Sequence, residues 1–245
     1  MQRLRLNAMR DFLVSSMYEG ARARVLEEFL RCNAQVYVFA GAIRDAIASH
    51  YEGLGDGIPR DFDIGVSNVK REVFDSILSE CGVQNRHRGY VLHDGIQTRW
   101  DVWRLEETIG LRKTNTVCCV ENVLRSFNLS CNAIALEIRS GLFIDAGAIE
   151  AIRRQRLSFV RNAIVHSETT FAAKALLVQL RFGYCTDESV QLFIGKHLEF
   201  RTLVYESKKV FPGFVALELS PTIPPTDLCG RPYSEAISAV DCRGT

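Results

Sequence analysis

The chain lacks long apolar runs, an excess of either charge and any cysteine or histidine spacing of a metal site, and each absence removes a class of protein. No run of about 18 apolar residues occurs, so a membrane-spanning helix is not expected. The start, MQRLRLNAMRDFLVSSMYEG, has no uninterrupted apolar segment of the signal-peptide kind. A cytoplasmic protein that does not contact membranes is the expectation. Thirty Lys and Arg against 29 Asp and Glu leave a net charge of +1, so no global field marks a nucleic-acid or lipid partner and any basic surface must be local. Proline is scarce, six in 245 residues, and concentrated in LSPTIPPTDLCGRP near the end. There is no internal repeat.

The eight cysteines (Cys32, Cys81, Cys118, Cys119, Cys131, Cys185, Cys229 and Cys242) include no C-x-x-C pair; most are expected in apolar surroundings, and all are read as reduced. Cys118 and Cys119 lack zinc spacing and are expected to be core thiols. None of His50, His87, His93, His166 and His197 pairs at a ligand spacing, and His93-Asp94 is read as a loop pair.

What is present suits a globular protein with one sizeable core or two small ones, since 47% of residues are hydrophobic and buried area rises with length. Met9, Phe12, Leu13 and Met17, then Val25, Leu26, Phe29 and Leu30, recur at helical spacing. AQVYVFAG reads as a buried strand ending at a glycine, AIRDAIASHY as a helix, EGLGDGIP as a loop and DFDIGVS as a second strand. KREVFDSILSECG reads as an amphipathic helix with Val73, Ile77 and Leu78 in its stripe and Gly82 as its stop. GYVLHDG and QTRWDVWRLE are β-like, and the end of ENVLRSFNLSCNAIALEI pairs with GLFIDA in a hairpin closing at Arg139-Ser140-Gly141. AIEAIRRQRLSFV and SETTFAAKALLVQLRFGYC are helical, the second capped by Ser167, with one further helix near 187–209. This order predicts an α+β fold with a mixed sheet flanked by helices and a small helical C-terminal part.

Chemistry concentrates in residues 40–66, AGAIRDAIASHYEGLGDGIPRDFDIGV. In an extended strand Asp61 and Asp63 project from one face with carboxylates roughly 6 to 7 Å apart. Such a pair is costly unless a cation lies between them, and a hard divalent ion is the natural compensation. Alone, a D-x-D is more often a solvated acidic pair. Here Gly41, between a buried strand and a helix, adds a backbone able to approach phosphate and a helix N-terminus presenting free amides. Phosphoryl and nucleotidyl transfer need these two parts together.

The stretch resembles the signature of the polymerase-β-like nucleotidyltransferases of the bacterial poly(A) polymerase and CCA-adding type, G-G-x-[VI]-R-D followed by D-[IFL]-D. It stands here as Ala40-Gly41-Ala42-Ile43-Arg44-Asp45 and Arg60-Asp61-Phe62-Asp63. The resemblance implies a catalytic head over 1–150 and a short helical, neck-like region over 151–245. It implies two Mg²⁺ on Asp61, Asp63 and a third carboxylate, Asp101 in TRWDVWRLEET, with Arg104 beside it. It also implies nucleotide contacts from Ala40, Gly41, Arg44, Asp45, Arg125 and Asn132, the last two from ENVLRSFNLSCNAIALE set against E-D-L-x-R-R-D-F-T-I-N-A. Whether Arg44 pairs with Asp45, meets the site carboxylates or touches phosphate is left open by the sequence. The implied activity is transfer of a nucleoside monophosphate from ATP or CTP to an acceptor hydroxyl, with tRNA the favoured acceptor. A toxin or defence factor modifying tRNA or a protein, and a degenerate nucleotide- or RNA-binding regulator, are the alternatives.

The chain departs from the family pattern in ways that bear on base choice. Ala40 replaces the first glycine, the double arginine is absent, and the aspartate after it becomes Asn128 or Phe127 according to where one residue is inserted. Val178 replaces one arginine of the R-x-x-R-F helix, which keeps Arg181 and Phe182. The likeness runs over residues 25–182, strongest over 37–66, and about 60 residues follow it, so complete CCA synthesis is not expected. Arg153, Arg154, Arg156 and Arg161 suit either nucleic-acid phosphates or a solvated helix face. Trp100 and Trp103 are expected to pack rather than to stack on bases.

Overall fold

The computed structural model describes residues 2–18, 20–53, 59, 61–93, 99–160 and 167–210. The glycine-rich loop at 54–58, Arg60, Asp94, Arg161, His166 and the proline-rich tail with Cys229 and Cys242 lie outside the described residues.

The first compact unit comprises the described residues up to Arg154 together with Val160. It opens with helices α1 (Gln2–Met17) and α2 (Gly20–Arg31), followed by strand β1 (Gln35–Phe39), α3 (Gly41–Glu52), β2 (Asp61–Ser67) and α4 (Arg71–Leu78). Strands β3 (Gly82–Gln84), β4 (Tyr90–His93) and β5 (Arg99–Arg104) come next, then α5 (Ile109–Thr114), α6 (Val120–Arg125), β6 (Ile134–Glu137), β7 (Leu142–Asp145) and α7 (Ala148–Arg153). The strands form one seven-stranded sheet in the order β3-β4-β5-β2-β1-β6-β7. Only β2 and β5 run parallel; β1 is antiparallel to both β2 and β6. The fold is thus α+β with a mixed sheet flanked by helices, as the element order predicts.

Alternation along the central strands explains the two layers. Val36, Val38, Phe62, Ile64, Val66, Trp100 and Val102 are buried on one face, and α2 and α3 pack against β1. There α2 meets α4 through Phe29 and Phe74, whose ring centroids are 5.7 Å apart. On the other face Tyr37, Phe39 and Ala135 pack with Leu105, Leu111, Val120, Val123 and Leu124, joined by Trp103 and Phe127. Trp100 is buried and Trp103 lies 5.5 Å from Phe39, centroid to centroid, so both tryptophans pack. The β6–β7 hairpin closes where expected: Glu137 faces Leu142, Gly141 takes φ +67°, and the Glu137 carboxylate accepts from the Arg139 and Ser140 amides.

The second unit holds Gln155–Phe159 and the described residues from 167 onward. Strand β8 (Arg156–Leu157), α8 (Glu168–Phe182), β9 (Cys185–Thr186), α9 (Glu188–His197) and α10 (Phe200–Val210) make it up. The Ser167 hydroxyl caps α8 by accepting from the Thr170 amide. Phe159, Phe171 and Phe193 pack their rings 5.2–5.6 Å apart.

Several expectations are corrected. In α4 the buried residues are Phe74 and Leu78, while Val73 is exposed, and Gly82 begins β3 rather than ending the helix. The helix expected through AIEAIRRQRLSFV ends at Arg153, because Arg156 and Leu157 pair in parallel with Cys185 and Thr186. That break scatters the basic run: Arg153 and Arg154 pair with Glu150, and Arg156 with Asp187. The single helix near 187–209 is two, with Leu198 extended between them. Cys118 is exposed and Cys119 half-buried, since they precede α6 rather than enter the core. Among the described residues, no helix is long and apolar enough to cross a membrane.

Candidate active site

The site is built where β1 ends and β2 begins. Because these strands are antiparallel, Phe39 lies directly opposite Asp63, a separation of about 5 Å between Cα atoms. The chain then turns at Ala40 into α3, placing the Gly41 turn one or two residues from the aspartates. Sequence alternation predicts Asp61 and Asp63 on one face, and both are half-exposed while Phe62 between them is buried. The strand buries every second residue, which leaves the carboxylates at the rim.

Strand β5 adds two charged side chains to the same face. In the parallel β2–β5 pair, Asp63 is level with Asp101 and Asp61 is level with Arg99. Asp61, Asp63, Arg99 and Asp101 therefore stand at the corners of a rectangle on neighbouring strands, about 4.8 Å apart across the pair and roughly 6 to 7 Å along each strand. Arg99 Nη2 donates to Asp101 Oδ1 at 2.8 Å. That hydrogen bond, together with the charges of Asp101, Asp61 and Asp63, raises the guanidinium pKa above its ordinary value against the opposing effect of burial.

Arg99 is the charged residue that sequence reading missed. The signal was available: two residues before Asp101 on a strand, it must share that residue's face. Arg104, the arginine expected beside Asp101, lies three residues on, so alternation sends it to the other face. It pairs there with Glu106 and Glu107.

The glycine turn is held from beneath. The Ala40 amide donates to Ile134 O at 3.0 Å and its carbonyl accepts from the Arg44 amide at 2.9 Å, opening α3. Ala40 has φ 50° and ψ −105°, a region that glycine enters freely and an L-residue does not. Arg44, open in the sequence reading, is used internally. Its Nε and Nη2 donate to Asp45 Oδ1 at 2.9 and 2.6 Å, and its Nη1 donates to Asn132 Oδ1 at 2.8 Å. With Arg44 and Asp45 side chains only 11% and 8% exposed, this charge-assisted network ties the first turn of α3 to the segment before β6. Beneath it the fully buried Cys131 thiol is pushed up to about 11 by desolvation, which the nearby Arg44 charge only partly offsets.

Arg125 is not brought to this network: it is exposed on α6 and donates to Asn122 at 3.3 Å. Phe127 packs edge-on against Phe39, centroids 5.8 Å apart.

Hard carboxylate oxygens on a half-exposed sheet face are donors of the kind a divalent cation takes. Asp61 and Asp63 share one strand, and Asp101 is level with Asp63 across the pair. As they stand, no group of three or more His, Cys, Asp and Glu side chains among the described residues is gathered to hold a metal ion. The donors fit such an ion in kind, with the Asp101 carboxylate engaged by Arg99.

A mixed sheet with a strand-turn-helix beside the strand of Asp61 and Asp63 is a fold that this chain shares with solved CCA-adding and tRNA-processing enzymes. The Thermotoga maritima CCA-adding enzyme complexed with tRNA matches with a TM-score of 0.54 at 17% identity, over 75% of this chain and 44% of that one. A CCA-adding enzyme with ATP matches at TM-score 0.54 and 18% identity, over 84% and 47%. A tRNA-processing enzyme with CTP matches at 0.52 and 13%, over 71% and 45%. The chain spans less than half the length of these proteins. No family model matches it, and no curated protein matches it by sequence.

Proposed function

We propose that the protein is a nucleotidyltransferase that moves a nucleoside monophosphate from ATP or CTP to the 3′ hydroxyl of an RNA, with tRNA as the acceptor. The observation that carries this reading is the register of β1 on β2, which sets the Gly41 turn beside Asp61 and Asp63. The CCA-adding and tRNA-processing neighbours support the choice of nucleotide and acceptor.

Asp61, Asp63 and Asp101 would hold two Mg²⁺, which when bound supply charge neutralisation for the phosphates and a more acidic acceptor hydroxyl. The amides at the start of α3 bind the polyphosphate, where the helix end favours negative charge. The Arg44-Asp45-Asn132 network keeps that turn in place, so its amides are preset rather than ordered on binding. An Asp101 carboxylate oxygen takes the proton of the acceptor hydroxyl. The hydroxyl oxygen then forms a bond to the α-phosphorus, and the bond from that phosphorus to the bridging oxygen breaks as pyrophosphate leaves. The first compact unit is read as the catalytic head and the second as the neck-like region that follows it.

Incubating the protein with Mg²⁺, total tRNA and each α-labelled NTP in turn tests the reading. Label in RNA from one or two of the four nucleotides is the expected result, and its absence from RNA with every NTP overturns the reading. One observation favours a second reading. Phe127, in the segment where the family carries its arginines and aspartate, is committed to packing on Phe39, which suits a head that binds nucleotide without transferring it. A melting shift with NTP and no turnover would distinguish that case.

A further inference from the structure

The rectangle formed by Asp61, Asp63, Arg99 and Asp101 contains its own cation. Three carboxylates on adjacent positions of two paired strands repel one another, and Arg99 reduces that repulsion from the fourth corner. Its Nη2 holds Asp101 Oδ1 at 2.8 Å with side chains 49% and 30% exposed. Pairs this open are weak and exchange readily with solvent ions. Arg44 offers the contrast: nearly buried and bonded to both Asp45 and Asn132, it is a fixed part of the scaffold.

We infer that Arg99 is a placeholder cation: it neutralises the carboxylate cluster and holds Asp101 aside, and gives that side chain up when a divalent ion enters. The inference rests on the assignment of Asp61, Asp63 and Asp101 as ion ligands. Arg99 is in this account a positioning residue for Asp101, acting through its hydrogen bond and its charge. Two consequences follow from the geometry. An entering ion must displace the guanidinium from Asp101, so the arginine opposes ion binding. Without an ion, the arginine stabilises the fold by reducing repulsion among the three aspartates.

The test is a titration with Mn²⁺, read as loss of the free-ion paramagnetic resonance signal, on wild type, Arg99→Gln, Arg99→Lys and the double variant Asp61→Asn, Asp63→Asn. Melting is followed in parallel in chelator and in Mn²⁺. Arg99→Gln is expected to bind Mn²⁺ at least about tenfold more tightly, the scale that removal of one half-exposed positive charge a few Å from a divalent ion gives in a water-like dielectric. It is also expected to melt lower than wild type in chelator and to gain more on adding the ion. Arg99→Lys, which keeps the charge, is expected to stay within about twofold of wild type. A merely structural role would lower the melting point without tightening the ion. If wild type binds Mn²⁺ through Asp61 and Asp63 but Arg99→Gln binds it equally or less well, the placeholder role is overturned and the ion site stands. If neither protein binds, or if binding survives in the Asp61, Asp63 variant, the ion site itself falls and the inference with it. Binding seen in Arg99→Gln alone supports the inference in its strongest form.

Discussion

Replacing Gly65 by alanine perturbs the site from beneath without touching a charged residue. Gly65 lies two residues beyond Asp63 on the same strand face, opposite Tyr37 on β1 and level with Trp103 on β5. A Cβ there would stand 2.6 Å from Phe39 Cε2 and 3.4 Å from Leu105 Cγ and Cδ2. Carbon atoms prefer about 3.5 to 4.0 Å, so the ring must move by roughly 1 Å. Phe39 cannot yield easily: it is fully buried and packs on Trp103, Phe127 and Tyr37. Overpacking of this kind costs about 1 to 3 kcal/mol, or roughly 3 to 10 °C in melting temperature for a chain of this size. Urea denaturation of Gly65→Ala, Phe39→Leu and the double variant measures it. Leucine lacks the atom that clashes, so the double variant should be about 1 to 2 kcal/mol more stable than the sum of the single effects predicts. If Gly65→Ala is as stable as wild type, or if the two effects simply add, the packing argument under Asp63 is wrong.

Further outcomes concern the turn and its surroundings. Ala40→Gly should raise stability by about 1 kcal/mol, because a strained positive-φ residue costs about 1 to 3 kcal/mol and glycine returns part of that gain as chain entropy; chemical denaturation reads it. Cys131 gives an alkaline signature. Its folded pKa of about 11 lies above the ordinary thiol value of 9.0, so its contribution is intact below pH 9 and is lost as pH rises towards 11. At about 1.4 kcal/mol per unit, Cys131→Ala should remove some 2 to 3 kcal/mol of the wild-type decline across that window, seen by comparing unfolding curves of the two proteins at pH 8 and pH 11.

The parts of the molecule that alternation and turn chemistry control were legible in the sequence. The strand placing Asp61 and Asp63 on one face, the glycine turn after β1, the hairpin at Arg139-Ser140-Gly141 and the Ser167 cap all depend on neighbours within a few residues. The parts set by pairing between distant strands were not. Arg99 became part of the site only once β5 was placed parallel to β2 in a register that puts it level with Asp61. Likewise Arg44 had several possible partners until β6 brought Asn132 to it. The helix expected through Arg156 gave way because Cys185 and Thr186, some thirty residues on, offered it a strand partner. In α4 the apolar spacing selects Val73 where the fold buries Phe74, because a stripe of two turns does not fix which apolar neighbour faces inward.

The proposed transfer depends most directly on Asp61 and Asp63 doing chemistry beside the residue-41 turn. Transfer of label from α-labelled ATP and CTP to tRNA, compared between wild type and the Asp61→Asn, Asp63→Asn double variant at equal folded concentration, decides it. The expected result is Mg²⁺-dependent labelling by wild type and a loss of at least about a thousandfold in the variant, on the scale expected when electrostatic stabilisation of the transition state is removed. Labelling by the variant at a rate near that of wild type would contradict it.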